Sequence, residues 1–207
     1  MSEEKFYTGK LVKPKLIKFT HDNLEKIAYK VCIEADEYNL CVECARNMWA
    51  NKKKGSYGKG LANTEDDPYR TERTGKLGEM AFSKLYQLPV DLTYREGGDD
   101  QDFIHEGKKI NIKTSTKKPW YAAGLVTAGH YRGTDFVPLE IKHDYYVFGY
   151  VEMEDKKANI ASIVFVGGCD KETLTNREIK RAIKGHHMNY QIPYSELTDI
   201  NKFSFKS

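Results

Sequence analysis

The spacing of apolar residues predicts helices in the first half of the chain. Between Thr20 and Ala35 the apolar side chains recur every three or four residues, which is typical of a helix, and they comprise Leu24, Ile27, Ala28, Val31, Cys32 and Ala35. A second helical pattern runs from about Asn39 to Lys53, and a third begins at Gly75. Residues 55–74 contain glycines, a proline and mixed charges, so they are predicted to form a loop.

Alternating patterns predict strands in the remainder of the chain. A short strand is expected near residues 90–94, followed by a hairpin over residues 103–115 that turns at Glu106-Gly107. A long β region follows from Tyr145 to Val166, and a short helix is expected near residues 176–183. The order of elements predicts an α/β (α+β) fold with a helical N-terminal extension. We expect residues 1–65 to form a helical region that binds DNA or dimerises, and residues 66–207 to form the core.

Composition and charge are those of an ordinary globular protein. The chain has 207 residues and a formal net charge of +3, which permits a polyanionic partner without requiring one. Basic residues without any acid occupy the stretch from Cys44 to Thr64, which is either a solvated loop or a DNA contact. The N-terminus has no apolar core typical of a signal peptide, and no apolar run reaches the roughly 18 residues of a membrane helix. We therefore expect a cytoplasmic protein without a membrane partner.

The four cysteines offer a second possible chemistry. Cys41 and Cys44 form a C-x-x-C pair, but the second pair that a structural zinc site requires is missing. Cys32 falls in the same predicted helical region, so these three are expected to be small buried residues. Convergence of all four, including Cys169, on an iron–sulfur cluster is the alternative.

Two acids and a lysine form the candidate chemical site. Glu79 lies early in the third predicted helix, Asp102 lies where an acidic turn enters a strand, and Lys113 ends the next strand. Pairing of the two strands would bring Asp102 and Lys113 side by side. Carboxylates bind hard divalent cations, and a nearby lysine can orient an attacking water and stabilise an oxyanion. This arrangement suits hydrolysis of a phosphodiester.

Three motifs in this order resemble the PD-(D/E)XK, or restriction endonuclease-like, superfamily. They are G-K-L-G-E (75–79), G-G-D-D-Q-D-F (97–103) and I-N-I-K-T-S (110–115). The resemblance implies an αβββαβ core with a central mixed sheet flanked by helices. It also implies a DNA endonuclease that uses Mg²⁺ or Mn²⁺, with no nucleotide cofactor, acting through in-line attack of a metal-activated water. Cleavage of both strands by this fold implies a homodimer.

The resemblance assigns roles to particular residues. Glu79, Asp102, Asn111 and Lys113 match the catalytic positions, and the metal ligands would be Asp102, Asn111, Glu79 and the backbone carbonyl of Ile112. Asn111 departs from the family pattern, which has Asp or Glu there, so the site lacks one negative charge. Three interpretations stay open: a natural variant that is active, an engineered replacement of Asp, and a protein of nuclease fold that binds DNA without cutting it.

DNA contacts are expected from basic groups around the cleft, which would bind phosphates and set affinity. The candidates are Lys52, Lys53, Lys54, Lys59, Arg70, Arg73, Lys117 and Lys118. Asp99 or Asp100 is an alternative to Asp102 as the metal ligand. If the motif match were a coincidence in an unrelated α/β protein, Asp102 and Lys113 would lie far apart.

Overall fold

A six-stranded mixed sheet forms the centre of the protein. In the computed structural model, the described residues are 5–21, 23–52, 66–93, 102–116, 123–132, 134–181 and 187–202. The strand order is β2-β3-β10-β9-β6-β5, in which β6 and β9 are parallel and the other neighbours antiparallel. These strands are β2 (Lys15–His21), β3 (Leu24–Ile33), β5 (Phe103–His105), β6 (Lys108–Ser115), β9 (Tyr145–Asp155) and β10 (Ile160–Asp170).

Two further sheets are smaller. A four-stranded antiparallel sheet has the order β11-β12-β7-β8, and a two-stranded sheet pairs β1 with β4. Their strands are β1 (Phe6–Tyr7), β4 (Val90–Asp91), β7 (Ala123–Arg132), β8 (Asp135–Pro138), β11 (Ile179–Arg181) and β12 (His187–Pro193). The described helices are α1 (Ala35–Lys52), α2 (Arg70–Tyr86) and the short α3 (Lys171–Thr175), with a 3-10 turn over Tyr194–Glu196.

The central sheet has two differently covered faces. On one face, apolar residues of α1 and α2 pack against β6, β9 and β10, and Phe82 of α2 lies at ring-centroid distances of 5.0 Å from Phe103 and 6.1 Å from Phe165. On the other face, Val126 and Ile192 of the four-stranded sheet share a core with Phe148 and Val164. The fold is therefore mixed α/β with a central mixed sheet and few helices, and it is mostly sheet.

The predicted helix over residues 20–35 is wrong, because residues 24–33 form strand β3. This strand pairs with β2 and with β10, and Ile33 lies opposite Ala161. The N-terminal part of the chain thus adds two strands to the central sheet. The helix predicted from Asn39 to Lys53 is confirmed as α1, which begins four residues earlier at Ala35.

Other predicted elements are confirmed or corrected in part. The hairpin over residues 103–115 is confirmed as β5 and β6, and the long β region as β9 and β10. Helix α2 begins at Arg70, within the predicted loop, so Glu79 lies in the middle of the helix and not in its first turns. The helix predicted near residues 176–183 is wrong: α3 ends at Thr175 and residues 179–181 form β11.

Candidate functional site

Helix α2 lies unusually close to strand β6, and this contact sets the position of the site. A Cβ atom added to Gly78 would lie 1.8 Å from Oγ1 of Thr114, so only glycine permits the observed approach. Gly78 is adjacent in sequence to Glu79, and Thr114 is adjacent to Lys113. The close approach therefore fixes α2 against the face of β6 that carries Thr114, whereas Lys113 projects from the opposite face.

Asp102 is hydrogen-bonded to the strand that carries Lys113. It directly precedes β5, and its Oδ2 accepts a hydrogen bond of 2.6 Å from the backbone N–H of Ile112. Asp102 precedes the first residue of β5, and its carboxylate takes the place of a backbone carbonyl as the acceptor for the Ile112 N–H. Because the N–H and C=O of a strand residue point to the same edge, the Ile112 carbonyl faces this edge too. The prediction that Asp102 lies beside the strand that carries Lys113 is confirmed.

Burial is the main influence on the Asp102 carboxyl group. Burial raises the pKa of Asp102 above its ordinary value, while the Ile112 N–H and the positive charges of Lys113 and Lys76 lower it in part. The net direction is upward, so the ionised carboxylate has less stabilisation here than it would have in water. Additional positive charge at this position would favour the ionised form.

Asn111 and Lys113 project from the same face of β6, because alternate residues of a strand share a face. Asn111 is only 8% exposed, and its Oδ1 is buried without a hydrogen-bond partner among the described residues. In the parallel ladder Asn111 lies beside Tyr146, and Lys113 lies beside Phe148. A buried amide oxygen without a donor is energetically costly, so Asn111 provides an acceptor that a ligand could satisfy.

Glu79 is paired with a lysine from its own helix. The Nζ of Lys76 donates a 2.7 Å hydrogen bond to Oε2 of Glu79 and a 3.0 Å hydrogen bond to the carbonyl oxygen of Asp91. Lys76 is 4% exposed and Glu79 is 8% exposed. Burial lowers the pKa of Lys76, but the Glu79 carboxylate outweighs this effect and Asp102 adds to it, so the pKa is raised overall. Lys76 is therefore a buried cation within electrostatic range of both acids.

His143 lies at the start of β9, beside the candidate site. The backbone N–H of Asp144 donates to the Lys109 carbonyl oxygen, and the side-chain Oδ2 of Asp144 accepts from the Lys109 N–H, which fixes this segment against the strand that carries Asn111. The Nδ1 of His143 lies 3.2 Å from the hydroxyl of Tyr146, and burial raises the pKa of Tyr146 to about 12. His143 also contributes to lowering the pKa of Asp102.

Sequence reasoning missed Lys76 and His143. Lys76 belongs to the G-K-L-G-E motif but was not distinguished from a solvated helix lysine, and burial depends on packing that a single sequence does not display. His143 lies outside the three motifs, and it precedes strand β9, whose parallel pairing with β6 begins at Tyr145. The only signal for His143 in the sequence was its position in a charged segment directly before a long predicted strand.

The oxygen donors of the candidate site are of the type that binds a divalent cation, but the neutral Asn111 gives the site one negative charge fewer than the family pattern. Among the described residues there is no group of three or more His, Cys, Asp or Glu side chains that could hold a metal ion. The oxygen atoms on or bonded to β6 are those of the Asp102 carboxylate, the Ile112 carbonyl and the unpartnered Asn111 amide, while the Glu79 carboxylate is paired with Lys76 on α2. Oxygen ligands of this kind suit Mg²⁺ or Mn²⁺. The buried, unpartnered amide oxygen is the feature that fits an ion best.

The predicted DNA-contacting residues fall into three groups. Arg73 is 2% exposed and its guanidinium bonds to Asp67 and Glu154, so we exclude this residue as a phosphate contact. Arg70 is half-buried at the first turn of α2. Five of the remaining candidates lie outside the described residues: Lys53, Lys54, Lys59, Lys117 and Lys118. Lys52 is the last residue of α1, and its side chain is outside the description. The alternative ligands Asp99 and Asp100 also lie outside the described residues.

The cysteines are dispersed over several elements. All four are free thiols, and Cys41 and Cys44 of α1 are buried, as predicted. Their sulfur atoms donate to the carbonyl oxygens of Lys76 and Leu92, at 3.4 Å and 3.3 Å. The prediction for Cys32 is wrong: it lies on strand β3 and is exposed.

Comparison with known proteins found no match, so a function can be inferred only from the residues of the candidate site. No family model, no curated protein and no solved structure matches this chain. None of the helices in the described part of the chain is long and apolar enough to span a membrane.

Proposed function

We propose that the protein is a metal-dependent DNA endonuclease with a restriction endonuclease-like core. One observation carries the proposal: the Asp102 carboxylate is bonded to the strand that presents Lys113 and the unpartnered amide oxygen of Asn111. An acid, a neutral oxygen donor and a lysine thus converge at one strand end.

The core of the proposed fold would consist of α2 and strands β4, β5, β6 and β9. The helix precedes the hairpin in sequence, packs across β6, and is followed by a parallel strand next to β6. This order supports the helix and the β5–β6 hairpin of the proposed αβββ part, whereas β4 pairs with β1 in the separate two-stranded sheet. The four-stranded sheet covers the face on which a second helix was expected, and in the proposal it replaces that helix as the outer layer.

Each residue of the site has a distinct proposed role. Asp102, Glu79, Asn111 and the Ile112 carbonyl would hold Mg²⁺ or Mn²⁺, which when bound neutralises phosphate charge and makes water a better nucleophile. Lys113 would orient the attacking water in line with the leaving oxygen and stabilise the charge on the phosphoryl oxygens. Asn111 and Asp102 would fix the position of these groups because both are anchored on β6.

A cleavage assay with matched variants tests this proposal. Supercoiled plasmid and phage DNA would be incubated with Mg²⁺ or Mn²⁺ and with the protein, Asn111→Asp or Lys113→Ala. Lys108→Ala is the control, because it removes the same charge from the same strand near the hairpin turn. We expect Lys113→Ala to reduce cleavage by at least about 100-fold, the scale of general acid–base and electrostatic catalysis. We expect Lys108→Ala to cut normally.

The Asn111→Asp variant separates two forms of the proposal. Faster cleavage by this variant than by the native chain would show that the site is genuine and weakened by asparagine. Equal cleavage would show that the amide suffices as a ligand. Failure of every form to cut any DNA tried would overturn the endonuclease proposal.

A catalytically silent DNA-binding protein is the second candidate. It is favoured by the charges of the described residues, since the Glu79 carboxylate is ion-paired with the Lys76 ammonium group and position 111 is neutral. This candidate predicts DNA binding that is equal in EDTA and in Ca²⁺, an ion that would support binding without supporting cleavage. A mobility-shift titration in both conditions distinguishes it from the endonuclease, whose binding should strengthen in Ca²⁺.

A further inference from the structure

We propose that Lys13 and Lys15 bind the phosphate backbone of duplex DNA at the edge of the central sheet. Lys15 is the first residue of the edge strand β2, and Lys13 lies two residues before it. The inference rests on the proposed function for the choice of DNA among polyanions. It names two contacts that are not among the basic residues predicted from sequence, and these contacts contribute affinity without reading bases.

The segment that contains these lysines is strongly basic. Residues 5–21 include five lysines and no acidic residue. Two of the five have an acidic partner on another element, at 3.9 Å and 2.8 Å, and the backbone N–H of Lys10 donates to Glu37 of α1. Lys13 and Lys15 are both exposed, and neither forms an ion pair with an acid in the part of the chain that the structure describes.

Lys15 lies directly opposite a residue of like charge. In the antiparallel pairing of β2 with β3, the partner of Lys15 is Lys30. Like charges at directly opposed positions destabilise a sheet. Glu152 of β9 forms an ion pair with Lys30, so one of the two positive charges is compensated. A phosphate group bound at Lys15 would compensate the other.

The backbone holds Lys13 and Lys15 close together. Pro14 lies between them, and a residue before proline is restricted to extended conformations. Two residues of extended chain span about 6.6 Å, so the two ammonium groups can contact neighbouring phosphates of one DNA strand. Lysine suits this role, because its flexible ammonium group binds a phosphate as a point charge.

Lys15 and Lys113 project from the same face of the central sheet. The strand registers join residues of five adjacent strands into one row: Lys15, Lys30, Val164, Tyr150 and Ser115. Ser115 follows Lys113 by two residues on β6 and therefore shares its face. The ends of the row are separated by four strand spacings, or about 19 Å. About six base pairs of duplex DNA, at 3.4 Å each, cover this distance.

This face is open to solvent on the side of the row where β6 ends. One step beyond the row, Cys32 of β3 and Met153 of β9 both pair with Ser162 of β10. Cys32 is exposed and Met153 is 41% exposed. The four-stranded sheet therefore leaves this part of the face uncovered, and DNA that lies across it can reach both Lys15 and the end of β6.

Lys171 and Lys202 provide a matched control for the loss of two surface charges. Both are exposed. Lys171 follows the last residue of β10, and Lys202 follows the segment that pairs with Gly168 near the end of the same strand. Both thus lie toward the end of the central sheet opposite to Lys15. Lys171→Gln/Lys202→Gln and Lys13→Gln/Lys15→Gln change the net charge of the protein equally.

Equilibrium binding of a fluorescein-labelled DNA duplex tests the inference without cleavage. Fluorescence anisotropy would be measured in Ca²⁺ at NaCl concentrations from about 50 to about 200 mM, the range in which phosphate contacts dominate the salt dependence. The proteins would be the native chain, Lys13→Gln/Lys15→Gln, the charge-preserving Lys13→Arg/Lys15→Arg and the control Lys171→Gln/Lys202→Gln. Two duplexes of unrelated sequence would be compared.

We expect Lys13→Gln/Lys15→Gln to lower the slope of log affinity against log salt concentration by about 2, since each lost phosphate contact removes about 1. At the lowest salt concentration its affinity should fall at least about tenfold for both duplexes. Lys13→Arg/Lys15→Arg and the control should stay within about twofold of the native affinity, with an unchanged slope.

Several outcomes would overturn the inference. An unchanged affinity and slope in Lys13→Gln/Lys15→Gln is one, and an equal loss in the control is another. Lysines on an edge strand also prevent that edge from pairing with another chain. Dimers of Lys13→Gln/Lys15→Gln in size-exclusion chromatography, with native DNA binding, would assign the lysines to that role. Loss of binding to phosphatidylserine vesicles, with native DNA binding, would assign them to a membrane surface.

The same measurements separate this inference from the proposed function. The expected loss of DNA binding, without cleavage by any form, would overturn the endonuclease proposal and leave the role of Lys13 and Lys15 supported. Cleavage that requires Lys113, together with native DNA affinity in Lys13→Gln/Lys15→Gln, would overturn the role of these two lysines alone. Failure of the native chain to bind either duplex would overturn both.

Discussion

At the scale of single residues, Gly78 and Gly75 occupy the same helix in very different surroundings. Gly78 contacts Thr114 so closely that an added Cβ would lie 1.8 Å from Oγ1, whereas an added Cβ at Gly75 would meet nothing within 4 Å. One glycine therefore permits helix–strand packing, and the other only weakens the helix. Glycine in a helix interior costs about 0.5–1 kcal/mol relative to alanine.

Substitution of these glycines should change stability in opposite directions. We expect Gly78→Ala to lower the free energy of unfolding by about 1–3 kcal/mol, because α2 must move away from β6. Gly75→Ala should raise it by about 0.5–1 kcal/mol. Urea denaturation followed by circular dichroism measures both, and equal stability of the two variants would contradict the packing described for Gly78.

The position of Asp102 beside strand β6 could be predicted from sequence, but the packing around it could not. Asp102, Asn111 and Lys113 could be placed together because a hairpin fixes which residues of its two strands are neighbours. Lys76 could not be recognised, because the burial of a lysine depends on elements distant in sequence. The exclusion of Arg73 from DNA contacts has the same cause, since its partner Glu154 lies on β9.

At the scale of elements, a buried ion-pair cluster fixes the start of α2 to β9. Arg73 bonds to Asp67 through both terminal nitrogens at 2.7 Å and to Oε1 of Glu154 at 2.6 Å. Tyr38 of α1 donates to the same Glu154 oxygen, and Lys156 bonds to Asp67. The hydrogen bond from Arg73 is the main reason why the pKa of Asp67 is lowered from 3.8 to about 2.

This cluster predicts a stability that depends on pH in the acid range. A lowered pKa means that Asp67 stabilises the fold above its unfolded value of 3.8, and that this contribution is lost as the pH falls toward about 2. Asp67→Asn should therefore be less stable than the native chain by about 1 kcal/mol at pH 7, after allowance for partial solvent exposure. The difference should vanish near pH 2.

Denaturation curves between pH 2 and pH 7 provide the measurement. Asp66→Asn is the control, because Asp66 is the exposed neighbour. A difference between Asp67→Asn and the native chain that is the same at every pH would contradict the assigned ion pair.

The element that sequence reasoning assigned wrongly is strand β3. Its apolar residues have spacings of three and four, but Ala28 and Val31 are buried on opposite sides of the central sheet. A strand covered on both faces loses simple alternation, so periodicity alone does not distinguish it from a helix. The β-branched and aromatic residues Ile27, Tyr29, Val31 and Ile33 were the signal that favoured a strand.

At the scale of the whole molecule, the two larger sheets share one core and should unfold together. Ile192 of β12 is fully buried in the core that includes Phe148 and Val164 of the central sheet. We expect Ile192→Ala to lower the free energy of unfolding by about 2–4 kcal/mol with an unchanged dependence on urea concentration. Leu125→Ala is the control, because Leu125 lies on the neighbouring strand and is 49% exposed.

Urea unfolding monitored by tryptophan fluorescence and by circular dichroism would test this cooperativity. Coincident curves are expected for the native chain and for Ile192→Ala. Separate transitions by the two probes would show that the four-stranded sheet is an independent unit.

The pairing of β3 with β10 has a consequence for how the chain acquires its fold during synthesis. Ile33 pairs with Ala161, and α1, α2 and strands β4 to β9 all lie between them in sequence. During synthesis, strand β10 emerges from the ribosome only after most of the chain has been made, so the β2–β3 hairpin cannot pair with it before then. Contacts so distant in sequence slow folding and leave an apolar strand edge open to wrong partners in the meantime. The β2–β3 hairpin is therefore the first part of the central sheet to be made, but it joins the sheet only after β10, the last strand of that sheet, has been made.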